Sequence, residues 1–385
     1  MKKYYFVNSG EQNGGRGDGR MTLDLAGMIA QHYAVEPEIV GTSAIQKLAK
    51  NPHAIIFDLS SRNKEPLTSG IDSKRIFRIH IHNHLAGVSS INPEFDLYLS
   101  PEFNPVAPRL TDGKVPVIGF NCLPSRVTPE NIAQAAKEWR AEHGYTETKP
   151  FVSLVIGSFE NTMGGWYWAK KSNQLCQQLY DLSCRKDITV GYTTTWTTDP
   201  ELSYFLKRIF PDAPIGYDWQ REQSKREKTR GKSNPYLALL GLSKAVIVQG
   251  DSISVQGDAA ATGKHVYILG GHNVTSRRDL GKFTAEDPRF TVKTMIEIMV
   301  LGRAAQPYFT GALDMDWQPK RIDNWPQAIA SIADYAERKQ SGKPLPTTRL
   351  STRPADPEMP TGPSDGPECP ANSIVWRPRG QAPGW

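Results

Sequence analysis

The sequence predicts an α/β protein built from two Rossmann-like, doubly wound domains facing each other. Three observations carry that prediction. The chain has 385 residues, where a single domain usually takes about 100–200. Short apolar runs alternate with helical patterns up to about residue 340, as parallel sheets covered by helices require. The series breaks near residues 143–150 and restarts at Pro150.

In the first series, Lys3–Asn8 is an apolar strand, followed by a glycine-rich loop and a helix from about Met21 to Tyr33. His53–Leu59, Arg75–His82, Asp96–Leu99 and Val115–Gly119 are the next strands. Thr128–Glu142 is a helix with Pro129 in its first turn, where a missing N–H costs nothing. The first domain is therefore drawn over residues 1–145. The second spans residues 150–320. Phe151–Ile156, Ile188–Thr193, Ala245–Val248 and Val266–Leu269 are its strands. Helices are expected through Trp168–Cys184, after Asp199-Pro200, after Asn234-Pro235-Tyr236, and over Ser254–Thr262, where Gly263 stops the last. Residues 344–385 hold ten prolines, and their four arginines and four acids cancel. Such a tail cannot offset its ordering entropy with a core, so it is expected to be irregular and dispensable for folding.

Composition narrows the function classes. Hydrophobic residues make up 38% and charged residues 22%, enough apolar material for real cores. Mean hydropathy is −0.48, and no run approaches the roughly 20 apolar residues of a membrane helix. The first residues contain two lysines but no apolar stretch before their glycines, so no signal peptide is expected. The four cysteines form no CxxC pair, which argues against a zinc ribbon or a disulfide scaffold and for the cytoplasm, including the inner face of a membrane. The net charge of +6 and a pI near 9.0 favour anionic partners. Nucleic acid is not expected, for want of a zinc-finger or RNP-type sequence.

The sharpest segment is Gln249–Leu269. A buried strand leads into Gly250-Asp251-Ser252, and a helix begins there. A helix N-terminus offers free N–H groups and a positive dipole end, so Ser252 and Ser254 are candidate phosphate donors. Asp258, one turn beyond Ser254, is a candidate ribose acceptor. Asp251 would repel phosphate and suits a cap or a sugar hydroxyl. The plain alternative makes Asp251 or Ser252 a simple N-cap and Asp258 a solvated helix residue.

Ser9–Arg20 contains five glycines and follows the first strand. Its backbone suits close approach to a ligand, and Arg16 and Arg20 suit anions. It fits neither the Walker A pattern nor GxGxxG, and a simple flexible loop is the alternative. His80, His82 and His84 alternate on a strand. Ligands two apart on one strand lie about 6–7 Å apart, so three converging on a metal is awkward. One catalytic histidine at a strand end, or plain structural histidines, are the other readings. Arg221–Lys232 carries six basic and two acidic residues, either a solvated loop or helix face or a mobile phosphate-binding loop. Trp166-Tyr167-Trp168 suits helix packing, and Cys176 and Cys184 fall in one expected helix as core residues.

Several ordered stretches resemble the mitochondrial-fission "elongated mitochondria" family of plants and bacteria. They are Phe95–Glu102, Arg126–Glu130, Asn234–Tyr236, Asp251–Ser254, Thr262-Gly-Lys264 and Gly302–Phe309. The resemblance covers roughly residues 1–335. It implies a glycosyltransferase B-like fold, with the two domains facing across a cleft, the nucleotide sugar on the C-terminal one and a returning C-terminal helix over residues 321–343. It further implies a glycosyltransferase that moves a sugar from a nucleotide-activated donor to a glycan, lipid or protein acceptor, without a bound metal or other cofactor. Peripheral membrane association fits such acceptors. Ser158, Thr194, Asp251, Ser252, Ser254 and Asp258 are the donor-side candidates, with Arg16 and Arg20 as further substrate contacts. Glu11, Asp18 and His82 are candidates for the acceptor-side base. The alternative is a non-catalytic adaptor with the same fold. A dinucleotide-dependent epimerase is disfavoured by the missing GxGxxG. The chain departs from the family at Gly257-Asp258-Ala259, where Ser-Glu-Ala is usual, at His265, where proline is usual, and in the neutral-to-acidic Gly157–Gly165.

Overall fold

The computed structural model describes residues 2–7, 16–41, 44, 48, 50–51, 53–58, 76–81, 95–101, 115–125, 127–157, 172–195, 198–226, 235–249, 253–269, 305–307, 313, 315–320 and 325–346. Compactness divides the chain into two units. The first takes its described elements from Met1–Thr128 and Ile322–Pro354, the second from Pro129–Leu280 and Met299–Arg321.

The first unit holds six parallel strands: β1 (Lys3–Val7), β2 (Glu38–Val40), β3 (Ala54–Asp58), β4 (Phe77–Ile81), β5 (Leu97–Pro101) and β6 (Val117–Phe120). Their order is β2-β1-β3-β4-β5-β6. Every residue of β3 and β6 is buried, the near-continuous apolar pattern of strands covered on both faces. Helix α1 (Arg16–Tyr33) begins five residues before the expected start and absorbs the end of the glycine-rich stretch. Leu25 and Ile29 of α1 are fully buried, and this packing outweighs the poor helix propensity of Gly17 and Gly19.

The C-terminal helix belongs to this unit. Its Trp325 is 1% exposed, stacks on Phe120 at 4.8 Å and donates its indole N–H to the Cys122 carbonyl at 2.8 Å. The Tyr33 hydroxyl donates to the Ile329 carbonyl. Near the helix's other end, the Lys339 ammonium donates to Asp96 at 2.6 Å and to the Ile76 carbonyl at 2.8 Å. The other Asp96 oxygen accepts the Arg78 N–H at 2.8 Å. Burial pushes the Asp96 carboxyl up, and Lys339 opposes that shift.

The second unit carries β7 (Phe151–Ile156), β8 (Thr189–Thr194), β9 (Gly216–Tyr217), β10 (Ala245–Gln249), β11 (His265–Leu269) and β12 (Gln306–Pro307). All are parallel, in the order β12-β11-β10-β7-β8-β9. Alternate residues Val152, Leu154 and Ile156 of β7 join Ala245, Ile247, Tyr267, Leu269, Val190 and Tyr192 in one core. Leu175, Leu179 and Leu182 of α3 (Ser172–Ser183) and Leu202 and Leu206 of α4 (Pro200–Ile209) cover it.

One boundary differs from the sequence expectation. Helix α2 (Pro129–His143), drawn with the first domain over residues 1–145, clusters with the second unit. It lies against α6 (Tyr236–Leu242) so closely that a methyl on Gly241 would overlap the Ile132 carbonyl and sit 2.9 Å from the Ala136 methyl. Only glycine permits backbones to meet at that distance. Helix α6 is itself tied to β7 by the Ser153 hydroxyl, which donates to the Leu239 carbonyl at 2.6 Å.

Three strands escaped the sequence reading, β2, β9 and β12, and the helix-face reading of Arg221–Lys232 holds as far as Arg226, within α5 (Trp219–Arg226). The three strands have two or three residues each, too short for a periodic signal. Helix α5 has Asp218 before it, whose side chain accepts the Arg221 N–H at 3.2 Å. Cys184 is also a correction: it falls one residue past α3 and is exposed, whereas Cys176 is buried. Burial pushes the Cys176 thiol up to about 11.

Candidate functional site

In the second unit the chain runs outward from β7 through β8 to β9, then returns to β7's other side and runs through β10 and β11 to β12. The winding therefore reverses between β7 and β10. In open parallel sheets, ligands lie outside the carboxyl ends of the strands at this reversal, because the two crossover loops diverge there and leave a crevice. Here those ends are Ile156 and Gln249, and α7 (Ile253–Ala261) starts four residues after Gln249. Ser254 is half-buried in the first turn of α7. The expected phosphate-binding segment thus follows a strand that borders the reversal.

A hydrogen-bonded ledge lines the carboxyl end of β7. The Ile156 carbonyl accepts the Thr195 N–H at 3.1 Å and the Thr198 hydroxyl at 2.8 Å. The Gly157 N–H donates to Gln249 Oε1 at 3.1 Å. Thr194 is 3% exposed, and its hydroxyl accepts the Trp219 N–H at 2.9 Å, holding the start of α5 beside the end of β8. Gln220 Nε2 donates to the Thr198 carbonyl at 3.0 Å.

Asp258 is not a solvated helix residue. It is 1% exposed, and its Oδ2 accepts the Tyr236 hydroxyl at 2.9 Å. Asp258 thereby joins α7 to the start of α6, a use that its helix position alone did not announce. Lys264 serves α6 as well. Its ammonium donates to the Leu240 and Gly241 carbonyls at 2.7 and 2.8 Å, satisfying the exposed C-terminal carbonyls of α6. Burial, reinforced by nearby Lys244 and Arg140, brings the Lys264 ammonium down to about 8. Gly263, at φ +69°, makes the left-handed turn that ends α7.

In the first unit the reversal lies between β1 and β3. Arg16, Asp18 and Arg20 fall in the first turns of α1, the helix that follows β1; their side chains lie outside the described residues. Glu11, His82, His84, Ser158, Asp251 and Ser252 lie outside them entirely, as do Trp166-Tyr167-Trp168 and Glu227–Lys232. His80 is described. It packs 5.0 Å from the Phe95 ring and 5.2 Å from the Tyr98 ring. Burial brings its imidazole down to about 4, so it is neutral at physiological pH and takes a packing role. Among the described residues, no cluster of three histidine, cysteine or acidic side chains is suited to a metal ion.

Sequence reasoning passed over Gln249, Tyr236's partnership with Asp258, and Thr198. A signal existed for Gln249: an amide ends the otherwise apolar β10 strand Ala-Val-Ile-Val-Gln.

The sheet orders, with a helix beginning at the carboxyl edge of each, define a protein of the doubly wound α/β class. The chain belongs to the family described as "Mitochondrial fission ELM1", whose model matches residues 90–285, just over half of it. Mitochondrial fission protein ELM1 of Arabidopsis thaliana is 27% identical over 140 residues, covering 36% of this chain and 30% of that protein. The match thus spans less than a third of that relative's length. Among solved structures, an S. aureus MnaA–UDP co-structure gives a TM-score of 0.43 at 13% identity, over 90% of this chain and 99% of that one. The wall teichoic acid polymerase TagF gives 0.40 at 10% identity, over 88% and 89%. Acinetobacter baumannii MurG gives 0.36 at 12% identity, over 90% and 97%.

Proposed function

We propose that the chain is a glycosyltransferase that takes its sugar from a nucleotide-activated donor, with the nucleotide on the second unit. The observation that supports this reading is the reversal of winding between β7 and β10 together with the helix that starts directly beyond it. A diphosphate there would meet the positive N-terminal end of α7 and the hydroxyls of Ser252 and Ser254. Ser158 and Asp251 are further donor contacts. Thr194 and Asp258 act behind them, by holding α5 and Tyr236 in place. In the transfer, an acceptor hydroxyl oxygen bonds to the sugar's anomeric carbon as that carbon's bond to the diphosphate oxygen breaks. The acceptor's proton passes to a base, for which Glu11, Asp18 and His82 are the candidates, and Arg16 and Arg20 offer further charge to the substrates. The departing negative charge is stabilised by helix dipole and hydroxyls, so the reading uses no metal or cofactor. A glycan, lipid or protein is the acceptor class. We place the reaction in the cytoplasm, with peripheral contact to a membrane for a lipid acceptor. Among the described residues no helix is long and apolar enough to cross one.

A hydrogen bond to a charged group contributes about 1.5–3 kcal/mol. Ser252→Ala and Ser254→Ala are therefore each expected to weaken nucleoside diphosphate binding by roughly tenfold or more. Calorimetric titration with UDP, GDP and ADP measures this. Wild-type affinity in both variants would contradict the donor site. The family's fission description favours the second reading, an adaptor without catalysis; it predicts no heat with any nucleotide.

A further inference from the structure

We infer that Gln249 is a positioning residue of the nucleotide site: its side-chain oxygen fixes the backbone leaving β7 at the reversal of the sheet. The inference rests on the nucleotide-binding reading above. It starts from a break in pattern. Ala245, Ile247 and Gln249 alternate along β10 and so share a face, and the first two belong to the apolar core of the second unit. The next position on that face calls for an apolar side chain. An amide stands there instead, 1% exposed, where burial without hydrogen bonds is costly.

Its partner explains the exception. The β7–β10 ladder ends at Val248↔Val155, between the two strands where the winding reverses. Gln249 Oε1 reaches from the end of β10 to the chain leaving β7 and accepts the Gly157 N–H at 3.1 Å. Gly157 is itself buried, so that N–H requires an acceptor. The preceding carbonyl, Ile156, is held from the opposite side by Thr195 and Thr198. The peptide between Ile156 and Gly157 is thus held at its nitrogen by the last residue of β10 and at its oxygen by residues that follow β8. A backbone peptide already held in this way at the strand end lowers the ordering cost of binding there.

Two variants test this. Gln249→Met keeps the side-chain length and removes the acceptor. Gln249→Glu keeps an oxygen at the same place, and burial favours the neutral carboxyl, nearly isosteric with the amide. Each is titrated calorimetrically with UDP, GDP and ADP well below its melting temperature. Gln249→Met is expected to lose about tenfold in affinity, and Gln249→Glu to stay within about threefold of wild type near pH 6. A purely structural role would lower the melting temperature of Gln249→Met and leave the affinity of its folded form unchanged, which overturns the inference. Equal loss in both variants overturns it too. If the wild type binds none of the three nucleotides, the nucleotide reading itself falls and takes this inference with it.

Discussion

Gly241→Ala is expected to destabilise the second unit by about 3 kcal/mol or more, because overpacking that meets backbone cannot be relieved by rotating a side chain. The added methyl would overlap the Ile132 carbonyl and crowd the Ala136 methyl. Relief requires α2 and α6 to separate. Separation would pull on the Ser153 hydroxyl bond to Leu239 and on both Lys264 bonds to the last carbonyls of α6. Gly27→Ala supplies the control. Gly27 lies in α1 with open space where its methyl would go, and alanine there is expected to add about 0.5–1 kcal/mol through better helix propensity. Urea unfolding followed by circular dichroism measures both. Equal stability of Gly241→Ala and wild type would contradict the close helix contact.

Trp325→Ala is expected to cost the first unit about 3–5 kcal/mol, as truncation of a fully buried aromatic does. The indole stacks on Phe120 and donates to the Cys122 carbonyl at 2.8 Å, so truncation opens a cavity and strips a carbonyl of its donor. Trp325→Phe separates the two effects. It retains most of the ring contact and is expected to cost less, with about 0.5–1.5 kcal/mol arising from the lost indole hydrogen bond. The same unfolding measurement applies. A Trp325→Ala protein as stable as the wild type would mean that the C-terminal helix does not depend on this anchor.

The longer strands of both sheets were legible because a buried parallel strand is a short, continuous apolar run, whereas β2, β9 and β12 have too few residues to show one. Phe151–Ile156 was read to the residue, and Ala245–Gln249 to within one. The allegiance of α2 was not legible, because it depends on the meeting of Ile132 and Gly241, which lie far apart in the chain. An isolated glycine in a helical pattern does not say which backbone it admits. The start of α1 was missed for a related reason: Gly17 and Gly19 argue for a loop locally, and tertiary burial of Leu25 and Ile29 prevails.

The candidate site was legible in part. The strand–turn–helix around Ser254 was visible as a helix N-terminus after an apolar run, and the sheet order places the end of β10 at the reversal. What the sequence could not show was the use of the polar side chains around it. Thr194 was a natural donor contact by position, yet its hydroxyl accepts the Trp219 N–H. Asp258 was a natural ribose acceptor, yet it takes the Tyr236 hydroxyl. Both pairings join residues remote in sequence, and period or spacing carries no trace of them. The single amide at the end of β10 was the local sign of the hydrogen bond that crosses from β10 to the chain leaving β7.

The most direct test of the nucleotide site is an amide-resolved NMR titration of the whole chain with UDP, GDP and ADP in turn. The account predicts saturable shifts from at least one nucleotide at Gly157, Gln249 and the first turn of α7 around Ser254. It also predicts that Ser254→Ala weakens the response. Shifts confined to the first unit, or none from any nucleotide, would contradict it.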